Sequence, residues 1–217
     1  MKPDAWSFVP PAHRNKFGEG PFRVRGTVYS GNVEYVVKRL PGGLSAVFTQ
    51  IGIPDVERFF HDTIFLAASL YDIEPLMHFA RAVARIEGIP IEKYIRRSSH
   101  FAAQQDVAGK YRAQLRSATS EDMAARLPPI FARYFEPCRA EVLSVEKDHS
   151  ELRYSSLPAS AIGLHIWACE GFVAGALEAT GARDIRFAWT TPLPDGDVEG
   201  VPVQAVRCRI TWKTTSP

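Results

Sequence analysis

The chain has 217 residues, of which 46% are hydrophobic and 11% aromatic, enough for one domain with a substantial core and too apolar for wholesale disorder. Its 26 basic and 24 acidic side chains leave a formal charge of +2, which gives no electrostatic reason to expect nucleic acid as the main partner. Cys138, Cys169 and Cys208 are scattered and never form CxxC, so free thiols without structural zinc, in a reducing and hence cytoplasmic setting, are expected.

Residues 1–21 carry Pro3, Pro10, Pro11, Pro21, Gly18 and Gly20, a composition that reads as a flexible N-terminal arm before a single domain over 22–217. The arm has no apolar run of signal-peptide length, and nothing later approaches the roughly 18 uninterrupted apolar residues of a membrane span. No membrane association is expected.

Within Val24 to Leu40, the positions of Val33, Val36, Val37 and Leu40 predict a helix that stops at Pro41-Gly42-Gly43, with a short helix over Leu44 to Gln50 behind it. Asp62 to Glu87 is the most apolar stretch. There Asp72 and Pro75 mark a start, and Leu76, Met77, Ala80, Val83 and Ala84 form one core-facing stripe. Further helices are read over Pro90 to Gln104 and Val107 to Ser117. Residues 81–117 hold eight Lys or Arg against three acids, a local +5 that reads first as a solvated face. Thr119 or Ser120 can cap the next helix, which Pro128 is expected to restart so that Ile130, Phe131 and Tyr134 face inward.

After Pro137 the period changes to two. Ala140, Val142 and Val145 pair in this reading with Leu152 and Tyr154 across Lys147-Asp148-His149. From Pro158 to Thr180, Ile162, Ile166, Cys169, Val173, Ala176 and Thr180 recur every three or four residues, the clearest helix of the chain. Asp184 to Trp189 and Val203 to Lys213 follow as strands, with PLPDGDVEGVP between them read as a loop. The fold class is therefore α+β: an N-terminal helical half, then a four-stranded antiparallel sheet packed on a long late helix.

No phosphate-cradling GxxxxGK[ST] or GxGxxG occurs, and none of the six histidines has a histidine partner four residues on. His165 and Cys169 are one helical turn apart and form the nearest approach to a reactive pair; a core pair is the simpler reading. Asp195, Asp197 and Glu199 lack calcium-loop spacing. No catalytic residue, metal site or cofactor is expected.

The segments CEGFVAGALEATGARDIRF (169–187) and VRCRITW (206–212) resemble the ending of vinyl-reductase-type ligand-binding domains and of the myxobacterial DUF2378 proteins. FRVRGTVYSGNVEYVVKRLPGGLSAVF (22–48) and LPPIFARYFEPCRAEVL (127–143) extend the likeness to the myxobacterial family. The resemblance implies a fold shared with haem-type nitric-oxide sensors and TRAPP tethering subunits, with a cavity for a small hydrophobic molecule between helices and sheet. The sensors' Tyr-x-Ser-x-Arg grip on haem is incomplete here, because Tyr154-Ser155-Ser156 has no arginine after it.

The functional expectation is thus a non-catalytic binding protein for a small hydrophobic molecule or a peptide, as a homodimer, in bacterial signalling or natural-product biosynthesis. A TRAPP-like interaction scaffold is the alternative, suggested by Gly171, Gly175 and Ala179 on one helix side, and a helper enzyme is a third. The expected site lies between helix 159–180 and the first-half helices. Trp167 and His165 line it, Phe172, Tyr94 and Phe101 add aromatic wall, and Arg96 or Arg97 meets an anionic end.

Overall fold

The computed structural model describes residues 6–10, 16–109 and 119–214. The first half is built from β1 (Arg23–Arg25), α1 (Gly26–Arg39), α2 (Gly43–Ile51), α3 (Pro54–Asp62), β2 (Leu70–Asp72), α4 (Ile73–Ile86) and α5 (Ile91–Ala108). The expected helix over 107–117 falls largely on residues 110–118, outside the described residues. The second half runs α6 (Ser120–Ala132), β3 (Phe135–Glu136), β4 (Arg139–Val145), β5 (His149–Pro158), a 3-10 turn (Ala159–Ala161), α7 (Ile162–Glu178), β6 (Ala182–Trp189), β7 (Leu193–Val198) and β8 (Val201–Thr214).

Local chemistry accounts for the ends of these helices. Asp72 caps α4 by accepting from the Glu74 N–H at 3.0 Å, and the same carboxylate accepts from the Gly18 and Gly20 N–H groups at 3.0 and 3.2 Å. Tyr29, fully buried in α1, donates to the Asp72 carbonyl and accepts from the Leu76 N–H, which pins α1 to the head of α4. Thr119 and Asp122 form a reciprocal capping box on α6.

Three sequence expectations are corrected by the fold. Pro128 does not restart the helix; α6 runs through Pro128 and Pro129 to Ala132, because Met123, Leu127 and Phe131 are buried along it and packing outweighs the lost backbone bonds. The loop 192–202 contains β7, antiparallel to the first part of β8, with a register shift between Pro194 and Asp197 that masks the alternation. The sheet is therefore five-stranded rather than four-stranded, ordered β4-β5-β8-β6 with β7 also on β8, and a second small antiparallel sheet joins β2-β1-β3.

α7 lies at the centre of the molecule, with α5 along one side and the large sheet along another. Fourteen of its seventeen residues are buried, so it has no polar face. The span Ala159–Glu178 is long and apolar enough to cross a membrane by composition, and burial inside the fold accounts for that character. Residues 6–10 and 16–21, which composition assigns to an arm, lie on this body. The Phe8 ring is buried in the core, Val9 N–H donates to the Ser160 carbonyl at 2.7 Å, and Gly163 N–H donates to the Ser7 carbonyl at 2.8 Å.

Candidate functional site

His165 and Trp167 are both buried, at 4% and 3% exposure, and they diverge. Two residues apart on a helix, their side chains leave the axis about 200° apart. His165 turns to an aromatic cluster, with its ring centroid 4.8 Å from Phe135; Phe135 meets Phe131 at 5.1 Å, and Phe131 meets Phe172 at 5.9 Å. Trp167 turns under the N-terminal segment, its ring 5.7 Å from Phe8, and Arg81 covers the outer side of Phe8 at 5.1 Å. His165 and Phe172 thus share a cluster, while Trp167 belongs to another.

The remaining predicted residues are dispersed. Tyr94 is buried and donates to Asn32 Oδ1 at 2.6 Å, while Arg97 pairs with Glu87, donates to the Tyr35 hydroxyl at 3.0 Å and lies over the Tyr94 ring at 5.8 Å. Arg96 pairs with Glu170 of α7, whose other oxygen accepts from Trp189 Nε1 at 2.9 Å. Phe101 is exposed. Both arginines are therefore committed to carboxylates, and α5 lies backbone against backbone on α7. A Cβ at Gly175 would stand 2.7 Å from the His100 carbonyl oxygen, and one at Gly171 would overlap the Arg96 carbonyl. The flat glycine side of α7, the motive for a scaffold reading, is covered by α5 of the same chain.

The head of α7 collects polar groups that lack partners. Among the described residues, the buried side-chain polar atoms without a hydrogen bond are Ser150 Oγ, Ser160 Oγ, His165 Nδ1, Trp167 Nε1 and Trp212 Nε1. Ser160 and Trp167 adjoin the segment 6–10, through the Val9–Ser160 main-chain bond and the Phe8 ring, whereas His165 lies against Phe135 on another side of α7. A buried polar atom left without a hydrogen bond costs about 1–3 kcal/mol.

Burial also decides protonation. It pushes the imidazole of His165 down from 6.5 to about 4; the Ala161 carbonyl one turn earlier works the other way, without a well-formed bond to Nδ1. The unfolded chain therefore binds this proton first as pH falls. Stability is complete above pH 6.5 and is expected to decline by about 3 kcal/mol on going to pH 4. Denaturant titrations from pH 8 to 4 should show this decline in the wild type and a smaller one in His165→Leu; parallel curves would refute it.

The three cysteines are buried free thiols, and burial pushes Cys138 up to about 12 and Cys169 and Cys208 upward as well. The Cys169 thiol donates to the Tyr154 hydroxyl at 3.2 Å in the buried helix–sheet interface. A thiol held protonated by burial is a poor nucleophile.

Two open recesses are cut into the solvent face of the large sheet. One, of about 580 Å³, is lined by Arg139, Glu141, Arg153, Ser155, Ser156 and Asp195; the other, of about 520 Å³, lies around Asp148, His149, Arg186 and Arg209. Neither contains any of the residues predicted for a site.

The fold is that of the H-NOX domains. The chain is similar to an H-NOX protein from S. oneidensis in the Fe(II)NO ligation state, at TM-score 0.59 and 16% identity, over 88% of this chain and 99% of that one. It is equally similar to a mutant H-NOX protein from K. algicida in its Fe(II) unliganded state, at TM-score 0.60 and 12% identity, over 88% and 97%. A third, from work on haem distortion in that family, matches at TM-score 0.61 and 12% identity, over 89% and 97%. No model of a known protein family and no curated protein matches the sequence.

The residues present do not fit a haem. Phe131, Phe135, Tyr154, His165 and Phe172 fill the space between α6, α7 and the sheet, with neighbouring ring centroids at most 6.1 Å apart. Tyr154 is followed by two serines, Leu157 and Pro158, which offer no cation to a propionate.

Proposed function

We propose that this protein is a non-catalytic ligand-binding domain whose site is the head of α7, beneath the segment 6–10. The observation that carries the reading is the pair of buried side-chain atoms without a hydrogen bond beneath that segment, Ser160 Oγ and Trp167 Nε1. The ligand is a small, largely apolar molecule that brings a hydrogen-bond acceptor for the indole N–H and takes the place of the Phe8 ring beside Trp167. The sequence resemblance to vinyl-reductase-type domains supports the same class of ligand, and the buried reduced thiols suit a cytoplasmic role in signalling or biosynthesis.

A peptide is the second reading. It is favoured by the way Ser7–Val9 lie against the head of α7, exchanging main-chain bonds with Ser160 and Gly163.

Native mass spectrometry of protein purified from its own host is expected to reveal a retained small molecule or peptide, released on denaturation. Trp167→Phe, which keeps the ring and removes the N–H, should lose about tenfold or more in retention while remaining folded. Repeated preparations at the bare protein mass, or retention unchanged in Trp167→Phe, would reject the site.

A further inference from the structure

Arg81 of α4 is half-buried against the segment 6–10, and among the described residues it pairs with no carboxylate. Its guanidinium donates to the Phe8 carbonyl and lies over the Phe8 ring at 5.1 Å. Burial, and after it the like charge of Arg85 one turn on, push this guanidinium below the usual arginine range. The acids of α4 and its C-terminal cap, Glu74 and Glu87, lie against His78 and Arg97. Arg96 and Arg97 are each bound to a carboxylate, and Arg81 is not.

Phe8 fills this corner with a recognisable outline. Its ring lies between Arg81 and Trp167, 5.7 Å from the indole, and its carbonyl oxygen is the acceptor for Arg81. Ring and carbonyl carbon are joined through Cβ and Cα, which is the skeleton of a 3-phenylpropanoate. The match is chemically incomplete. A neutral carbonyl answers a guanidinium with a single oxygen, whereas a carboxylate answers it with two oxygens and a charge. Trp167, at 3% exposure, keeps an indole N–H without an acceptor. A carboxylate has acceptor capacity for both donors. The main-chain bonds that hold the segment, from Val9 N–H to Ser160 and from Gly163 N–H to Ser7, can pass to water on release.

Given the binding site proposed above, on which this reading rests, we infer that its ligand is an aryl-alkyl monocarboxylate whose ring displaces Phe8 from between Arg81 and Trp167 and whose carboxylate takes the Arg81 guanidinium. Phe8 is then a competitor built into the chain. The apparent affinity is the intrinsic one reduced by the fraction of molecules in which the segment has left.

The probe is 3-phenylpropanoate, with the neutral 3-phenylpropan-1-ol as its matched control, titrated into the full chain by calorimetry at fixed ionic strength. The acid is expected to bind at one equivalent and about tenfold more tightly than the alcohol. Arg81→Gln should lose about tenfold on the acid and nothing on the alcohol, whereas a residue that only supported the fold would weaken both. Val9→Pro removes the N–H given to Ser160 and leaves the core side chains in place. It should bind the acid about tenfold more tightly, and so should Phe8→Ala where that variant folds. An alcohol bound as tightly as the acid, or an acid affinity unchanged in Arg81→Gln, would overturn the carboxylate and leave the site at the head of α7 standing. An affinity not raised in Val9→Pro would overturn the displacement of Phe8. No binding of either compound by wild type or Val9→Pro would overturn the ligand class, with the site itself still judged by retention in Trp167→Phe.

Discussion

Gly171→Leu is expected to abolish folding at ordinary temperature, and even Gly171→Ala should cost about 3 kcal/mol or more. A Cβ at this position overlaps the carbonyl oxygen of Arg96 and stands 2.9 Å from its carbonyl carbon and 3.0 Å from its Cα. These are backbone atoms in the body of α5, so no rotamer change relieves the clash and the two helices must separate. Overpacking alone costs about 1–3 kcal/mol. Separation would also pull Arg96 from Glu170 and His100 from Glu178, pairs that bridge the same helices. Gly31 is the matched control, because it is helical, lies in α1 and has nothing within 4 Å of its Cβ position. Gly31→Ala should therefore stabilise by about 0.5–1 kcal/mol. Urea midpoints of the three variants decide the matter, and a Gly171→Ala midpoint equal to wild type would mean that α5 does not sit on α7.

Trp167→Ala is expected to cost about 3–5 kcal/mol, the usual range for removing a large aromatic from a core. Its ring fills the space between Phe8 and the Gly163 turn of α7, where a Cβ on Gly163 would stand 2.9 Å from the ring edge and 2.8 Å from the Ser7 carbonyl. Truncation therefore empties the floor on which residues 6–10 rest. A binding defect in this variant would be inseparable from lost structure, which is why the ligand test uses phenylalanine. Denaturant unfolding with an unchanged m-value should register the loss. A midpoint within experimental error of wild type would place Trp167 at the rim of the domain.

What could be read along the chain was whatever rests on local periodicity and end chemistry. The stripe of Leu76, Met77, Ala80 and Val83, the Asp72 cap, the Thr119 cap and the β4–β5 turn all appear where spacing and capping residues put them. β7 escaped because its pairing is set by β8 and a bulge breaks its alternation, and α6 kept its prolines because buried neighbours hold the helix together.

The candidate site was half legible. The amphipathic character of His165 and Trp167 drew attention to the head of α7. The residues beside the Ile162, Ile166, Cys169 stripe, His165 and Trp167 among them, are buried like the stripe itself. A moment calculated around one helix cannot register that α5, the sheet and residues 6–10 cover three different faces.

The chain by itself determined the α+β class, most of its helices and strands, and the absence of paired cysteines, since each follows from neighbours within a turn or a ladder step. Only the tertiary structure decided that Arg96 and Arg97 are bound to Glu170 and Glu87, that Phe8 covers Trp167, and that Arg153 faces Arg207. Those are contacts between residues 10 to 159 positions apart, and their energies depend on register and helix packing that no local pattern encodes.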